Sequence, residues 1–78
     1  MDFEKYQTIY SLIKTIEYLE WAYISGRVEN LEYENQIKRL LNQFKMASET
    51  VNGFNLDEFV RKWSLEHCQN AYKRINIG

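Results

Sequence analysis

His67 and Cys68 are the only histidine and the only cysteine of the chain, and they are neighbours. The chemistry such a pair could do is nucleophilic, an imidazole drawing the proton from a thiol. On a helix, however, residues at i and i+1 do not face each other. The pair would need a distorted backbone, so the expectation is a half-exposed histidine beside a small buried cysteine. Asp57–Glu58 and Glu32–Glu34 could do acid–base work. They stand where helices are expected to begin, and there they favour the positive end of the helix dipole instead. One cysteine and one histidine are too few for a structural zinc site. No glycine-rich phosphate loop, metal-ligand spacing or nucleophile elbow occurs. The expectation is a protein with no catalytic residue, no cofactor and no metal.

Basic residues are the remaining chemistry. Lys38, Arg39 and Lys45 fall in the second third of the chain, and Arg61, Lys62, Lys73 and Arg74 in the last. Acidic residues accompany each group, and the formal net charge is −1. The basic footprint of a nucleic-acid-binding domain is missing, so these read as solvated helix faces. No apolar stretch is long enough to span a membrane, because Lys14, Glu17 and Glu20 interrupt the best one. The N-terminal sequence has no signal-peptide pattern, and the single cysteine suits a reducing cytosol.

The elements follow from punctuation. The chain has 78 residues, no proline, and Gly26 and Gly53 as its only internal glycines. They cut it into three near-equal parts. Ile9, Leu12, Ile16, Leu19 and Tyr23 alternate spacings of three and four, which predicts one face of a helix ending at Gly26. Tyr33, Ile37, Leu40, Phe44, Ala47 and Val51 repeat the pattern behind Asn30 as N-cap. The short connection makes these two an antiparallel hairpin over about residues 3–51. Asn55 to Glu58 reads as a capping box that starts a third helix, with Leu56, Phe59, Val60 and Trp63 on one face. Cys68, Ala71, Tyr72 and Ile75 make a fourth. The expected fold is all-α: one domain over residues 1–78, a long hairpin, and two short helices at about 55–76 packed at one end.

The first helix carries more apolar surface than one hairpin partner can cover. Beside its main seam runs a second stripe of Phe3, Tyr6, Tyr10, Ile13 and Ile24. Contiguous exposed apolar surface signals a partner. The expected partner interface is therefore Tyr6, Tyr10, Ile13 and Glu17, with Leu41 and Met46 from the second helix. The expected intrachain core is Ile9, Leu12, Ile16, Leu19, Tyr23, Tyr33, Ile37, Leu40, Phe44, Phe59 and Trp63. Cover by the two short helices is the competing reading of the same stripe.

Longer strings of residues point further. Leu19-Glu20-Trp21-Ala22-Tyr23-Ile24, Val28, Glu32-Tyr33, Arg39-Leu40-Leu41-Asn42-Gln43-Phe44-Lys45 and Leu56-Asp57-Glu58-Phe59-Val60-Arg61-Lys62-Trp63 run in that order, closed by Arg74-Ile75. The set resembles the N-terminal half of the ESCRT-I subunit family called vacuolar protein sorting-associated protein twenty-eight. That family's pattern is similar to L-E-x-A-Y-I, V-x-x-x-E-Y, R-L-L-x-Q-[YF]-K and I-D-E-F-x-R-K-[YF]. The resemblance implies a headpiece hairpin that assembles with hairpins of two other subunits, the ubiquitin-binding tumour-susceptibility-type subunit and a third sorting subunit. It implies a non-catalytic scaffold in a hetero-oligomer, cytoplasmic and recruited peripherally to the endosomal membrane. There the complex sorts ubiquitinated cargo into multivesicular bodies.

This sequence departs from the family in lacking two prolines. Glu29-Asn30 and Cys68-Gln69-Asn70 stand in their places, so the helix starts are built differently. The family's C-terminal domain lies beyond the stretch that ends here at Ile77-Gly78, and recruitment of downstream complexes is not assigned to it. The alternative function is a stand-alone helical protein that homo-oligomerises through the same flank. A DNA-binding helical regulator is a distant third.

Overall fold

The computed structural model describes residues 2–78, and four helices make up its regular structure: α1 (Asp2–Ile24), α2 (Asn30–Glu49), α3 (Leu56–Lys62) and α4 (Gln69–Ile77). No strand occurs among the described residues. The molecule measures 37 × 22 × 20 Å. At 1.5 Å per residue α1 alone accounts for roughly the long dimension.

Several helix boundaries have a local cause. At the end of α1 the Arg27 N–H donates to the Ala22 carbonyl (2.8 Å) and the Gly26 N–H to that of Tyr23 (3.1 Å). This is the Schellman arrangement, and it holds Gly26 at φ 78°, where glycine has no Cβ to clash. α3 starts as the capping box predicts, with the Asn55 side chain accepting from the Glu58 N–H at 2.9 Å. It ends in the same Schellman arrangement, but Ser64 takes the left-handed position at φ 56°. The start of α2 corrects the sequence reading. The N-cap is Glu29, not Asn30, and it makes no side-chain cap. The Tyr33 N–H bonds to the Glu29 carbonyl at 2.9 Å, which begins the first turn one residue early.

α1 and α2 lie antiparallel. Near the start of α1, Lys5 donates to the Thr50 carbonyl just beyond α2 (3.2 Å). At the other end the Tyr23 and Tyr33 rings stack, with centroids 4.0 Å apart. Between them, Ile9, Ile13, Ile16 and Leu19 share one core with Tyr33, Ile37, Leu40 and Phe44. The placement of the short helices also differs from expectation. α3 sits at the open end, where Phe59 packs on Tyr6, Phe54 and Trp63. α4 does not. It runs beside the second half of α1, with Asn70 and Ala71 at Glu17 and Arg74 at Glu20. The six residues between α3 and α4 give the chain room to return along α1, and Leu65 and Cys68 are buried on the way.

Candidate functional site

The two residues that could pair for nucleophilic chemistry sit in different environments, Cys68 buried and His67 exposed. Cys68 is buried, and burial pushes its thiol up from the ordinary range, with the Glu17 carboxylate adding to the shift and Lys14 opposing it. A raised thiol is a poor nucleophile at neutral pH. His67 points elsewhere, its Nε2 lying 3.2 Å from the Lys14 ammonium on the surface. Among the described residues no group of three or more His, Cys, Asp or Glu is placed to hold a metal ion.

Two carboxylates of α1, Glu17 and Glu20, have structural partners. Glu17 Oε1 accepts the Ala71 N–H at 2.9 Å, and Oε2 accepts the Asn70 amide at 3.0 Å. α4 has Cys68 at its N-cap, with no cap from that side chain. A residue of α1 therefore caps α4 across the fold. Glu20 is 7% exposed and joins two helices. It accepts the Tyr33 hydroxyl from α2 and the Arg74 guanidinium from α4, the latter at 3.3 Å. Burial, then the carboxylate beside it, pushes the Tyr33 phenol up to about 12.

These contacts settle where the expected interface residues lie. Ile13 is 1% exposed and belongs to the shared core, so this part of the stripe does not stay open. Glu17 is spent on α4. Tyr6 and Tyr10 are half-buried against Trp63, with ring centroids 6.3 and 6.4 Å apart. Leu41 is half-buried against the core, and only Met46 stands well exposed. Of the expected core, Ile9, Ile16, Leu19, Tyr33, Ile37, Leu40, Phe44 and Phe59 are buried. Leu12 and Trp63 are partly covered, and Tyr23 stays at the surface over Tyr33.

What remains open on α1 is its outer face, and the sequence reading missed it. Phe3 is 55% exposed, Tyr18 65% and Trp21 45%. Between them the exposed Gln7, Thr8, Ser11 and Thr15 are short and uncharged. Thr8 and Thr15 turn their hydroxyls back to the carbonyls of Glu4 and Ser11, at 3.0 and 2.8 Å. These hydroxyls are satisfied by the backbone, so the face is less polar than its letters. At its far end Tyr18 and Trp21 pair at 6.0 Å, and the Arg27 guanidinium lies 4.5 Å above the Trp21 ring. The available signal was a helix face with only Glu4 and Lys14 charged over five turns.

The described residues thus form a small helical module with a sparsely charged, aromatic-flanked face along its longest helix. Residues 6–78 match the family described as VPS28 protein, and the chain belongs to that family. Vacuolar protein sorting-associated protein 28 homolog 1 of Arabidopsis thaliana is 27% identical over 78 residues, covering 97% of this chain and 37% of that protein. The Caenorhabditis elegans homolog is 28% identical over 76 residues, covering 96% and 36%. The Dictyostelium discoideum protein is 31% identical over 77 residues, covering 96% and 26%. The chain thus spans roughly a third of the length of the curated relatives it matches, in their N-terminal portion. No solved structure matches it. None of the described helices is long and apolar enough to cross a membrane.

Proposed function

We propose that this chain is a non-catalytic scaffold segment of an ESCRT-I-like sorting complex, acting as one assembling unit. Its hairpin packs side by side with helical hairpins of other subunits: a ubiquitin-binding tumour-susceptibility-type subunit and a third sorting subunit. The complex acts on the cytoplasmic side of the endosomal membrane, in sorting ubiquitinated membrane cargo. Family membership supports the sorting role. The outer face of α1 carries the assembly reading. Short side chains in its middle let a second helix approach closely, and Phe3, Tyr18 and Trp21 at its ends supply rigid apolar area. Tyr6 and Tyr10 border this face, while Met46 and Leu41 mark a smaller surface on α2.

The test is a pair of substitutions in the middle of the face. Ser11→Arg and Thr15→Arg put long charged side chains on exposed positions, so the isolated chain keeps its helical spectrum and melting temperature. Co-purification with co-expressed partner hairpins is expected to weaken at least about tenfold, on the order of 1.4 kcal/mol. Unchanged co-purification of both variants would remove α1's outer face from the interface. Sedimentation of the chain alone gives the baseline. A self-associated chain that the same substitutions dissociate would favour homo-oligomerisation instead.

A further inference from the structure

Two side chains of α1 hold α4 by polar contacts, and one further contact, the Tyr72 hydroxyl donating to Asp57, ties α4 to α3. The Ala71 N–H and the Asn70 amide go to Glu17, and the Arg74 guanidinium goes to Glu20. Ala71 is the fully buried residue of α4, and α4 supplies no side-chain cap of its own. The seat on α1 therefore specifies a helix by its chemistry: an open N-terminus for Glu17, a small residue at the contact, and an arginine three residues further on for Glu20. Nothing in that specification requires the helix to come from the same chain. The connection is the second observation. Trp63 to Cys68 joins α3 to α4, and Ser64 within it is the one described non-glycine residue at positive φ, 56°. An L-residue there suffers crowding between Cβ and its own backbone. Leaving that conformation breaks the turn that folds α4 back. A strained hinge of this kind favours exchange of the element beyond it.

We infer that α4 is exchanged between two copies of this chain, each α4 seated on the other copy's α1. The second copy is the fitting occupant because its α4 carries the matching donors at the matching spacing. Both anchors are rebuilt in the exchanged pair, and both hinges lose their left-handed serine. The exchange uses the α4 seat and leaves the outer face of α1 free, so it is independent of the assembly reading.

The full chain is warmed and cooled at rising concentration and read by sedimentation. Native mass spectrometry follows on a mixture of isotope-labelled and unlabelled chains. Mixed-label dimers that grow with concentration are expected. Ser64→Gly removes the strain and is expected to raise the concentration of half-dimerisation at least about tenfold, about 1.4 kcal/mol. A wild-type chain that stays monomeric overturns the inference. So does a dimer whose concentration dependence Ser64→Gly leaves unchanged. A charge-reversal pair adds a direct test of the contact. Glu20→Arg and Arg74→Glu are each mismatched alone, but mixed they match across both seats of an exchanged heterodimer. Dimer in the mixture at least about ten times that of either variant alone supports exchange, and no excess opposes it. Should the buried Glu20 position not tolerate arginine, the wild-type and Ser64→Gly comparison decides alone.

Discussion

Removing one carboxylate from the middle of α1 should loosen a helix that begins 52 residues later in the chain. Glu17→Ala takes away the acceptor of the Ala71 N–H and of the Asn70 side chain. Losing a side-chain cap costs about 1 kcal/mol. Losing a negative charge at a helix N-terminus costs about 0.3–1 kcal/mol more. The Asn70 amide is half-buried and recovers water, so it adds little. The expected loss is about 1–2 kcal/mol, in a domain whose size limits its stability to roughly 3–5 kcal/mol. Thermal unfolding by circular dichroism should show this as a fall of roughly 5–15 °C, at about 4–8 °C per kcal/mol. Glu17→Gln keeps an acceptor and loses only the charge, so its fall should be less than half as large. Amide exchange locates the effect: Ala71 should lose protection before the amides of α1 do. Ala71 protection unaltered in Glu17→Ala would refute the reasoning, since it would mean that the capping bond contributes nothing to holding α4.

Two further outcomes follow from the core. Ile13→Asp places an unpaired charge in a fully buried position, at a cost of several kcal/mol that rivals the whole stability, and should unfold the isolated chain as Ile16→Asp does; a folded, monomeric Ile13→Asp in urea titration would return this residue to an open flank. Tyr33 should ionise late, with a spectrophotometric step near 12 that Tyr33→Phe abolishes. The folded state holds this proton beyond the usual tyrosine value, so the linked stability is whole below about pH 10 and is lost as pH rises from there through about 12.

The helical elements were legible because their signals are local. Spacings of three and four, two glycines and one capping box need no knowledge of the third dimension. The seam of Ile9, Ile16, Leu19, Tyr33, Ile37, Leu40 and Phe44 was legible for the same reason. Glu17 was misread because its partners come from α4, more than 50 residues away, and Ile13 because it is buried in the shared core. Periodicity shows that a second stripe exists but not which element covers it. Glu17 was placed in the partner interface, since a cap supplied by another helix leaves no mark at the helix it caps. The outer face was missed for a different reason. Threonine and serine read as polar, and only the structure shows that the hydroxyls of Thr8 and Thr15 are turned back to the backbone. Leu65 fell into what looked like a break between helices, yet the turn at Ser64 delivers it to the core.

The position of Glu17 and Glu20 relative to Asn70, Ala71 and Arg74 also sets a schedule. α1 leaves the ribosome first, and its carboxylates must wait for donors encoded more than 50 residues later. At about 5–20 residues per second that wait is roughly 3–10 s. A helical hairpin closes in far less time, so α1 and α2 can pair while Ile13 and the flank around it still face solvent. During synthesis this chain therefore passes through a stage in which both stripes of α1 are sticky and only one is satisfied. Any partner helix translated nearby meets that stage before α4 exists to compete with it, and the order of emergence becomes a variable in how the assembly is put together.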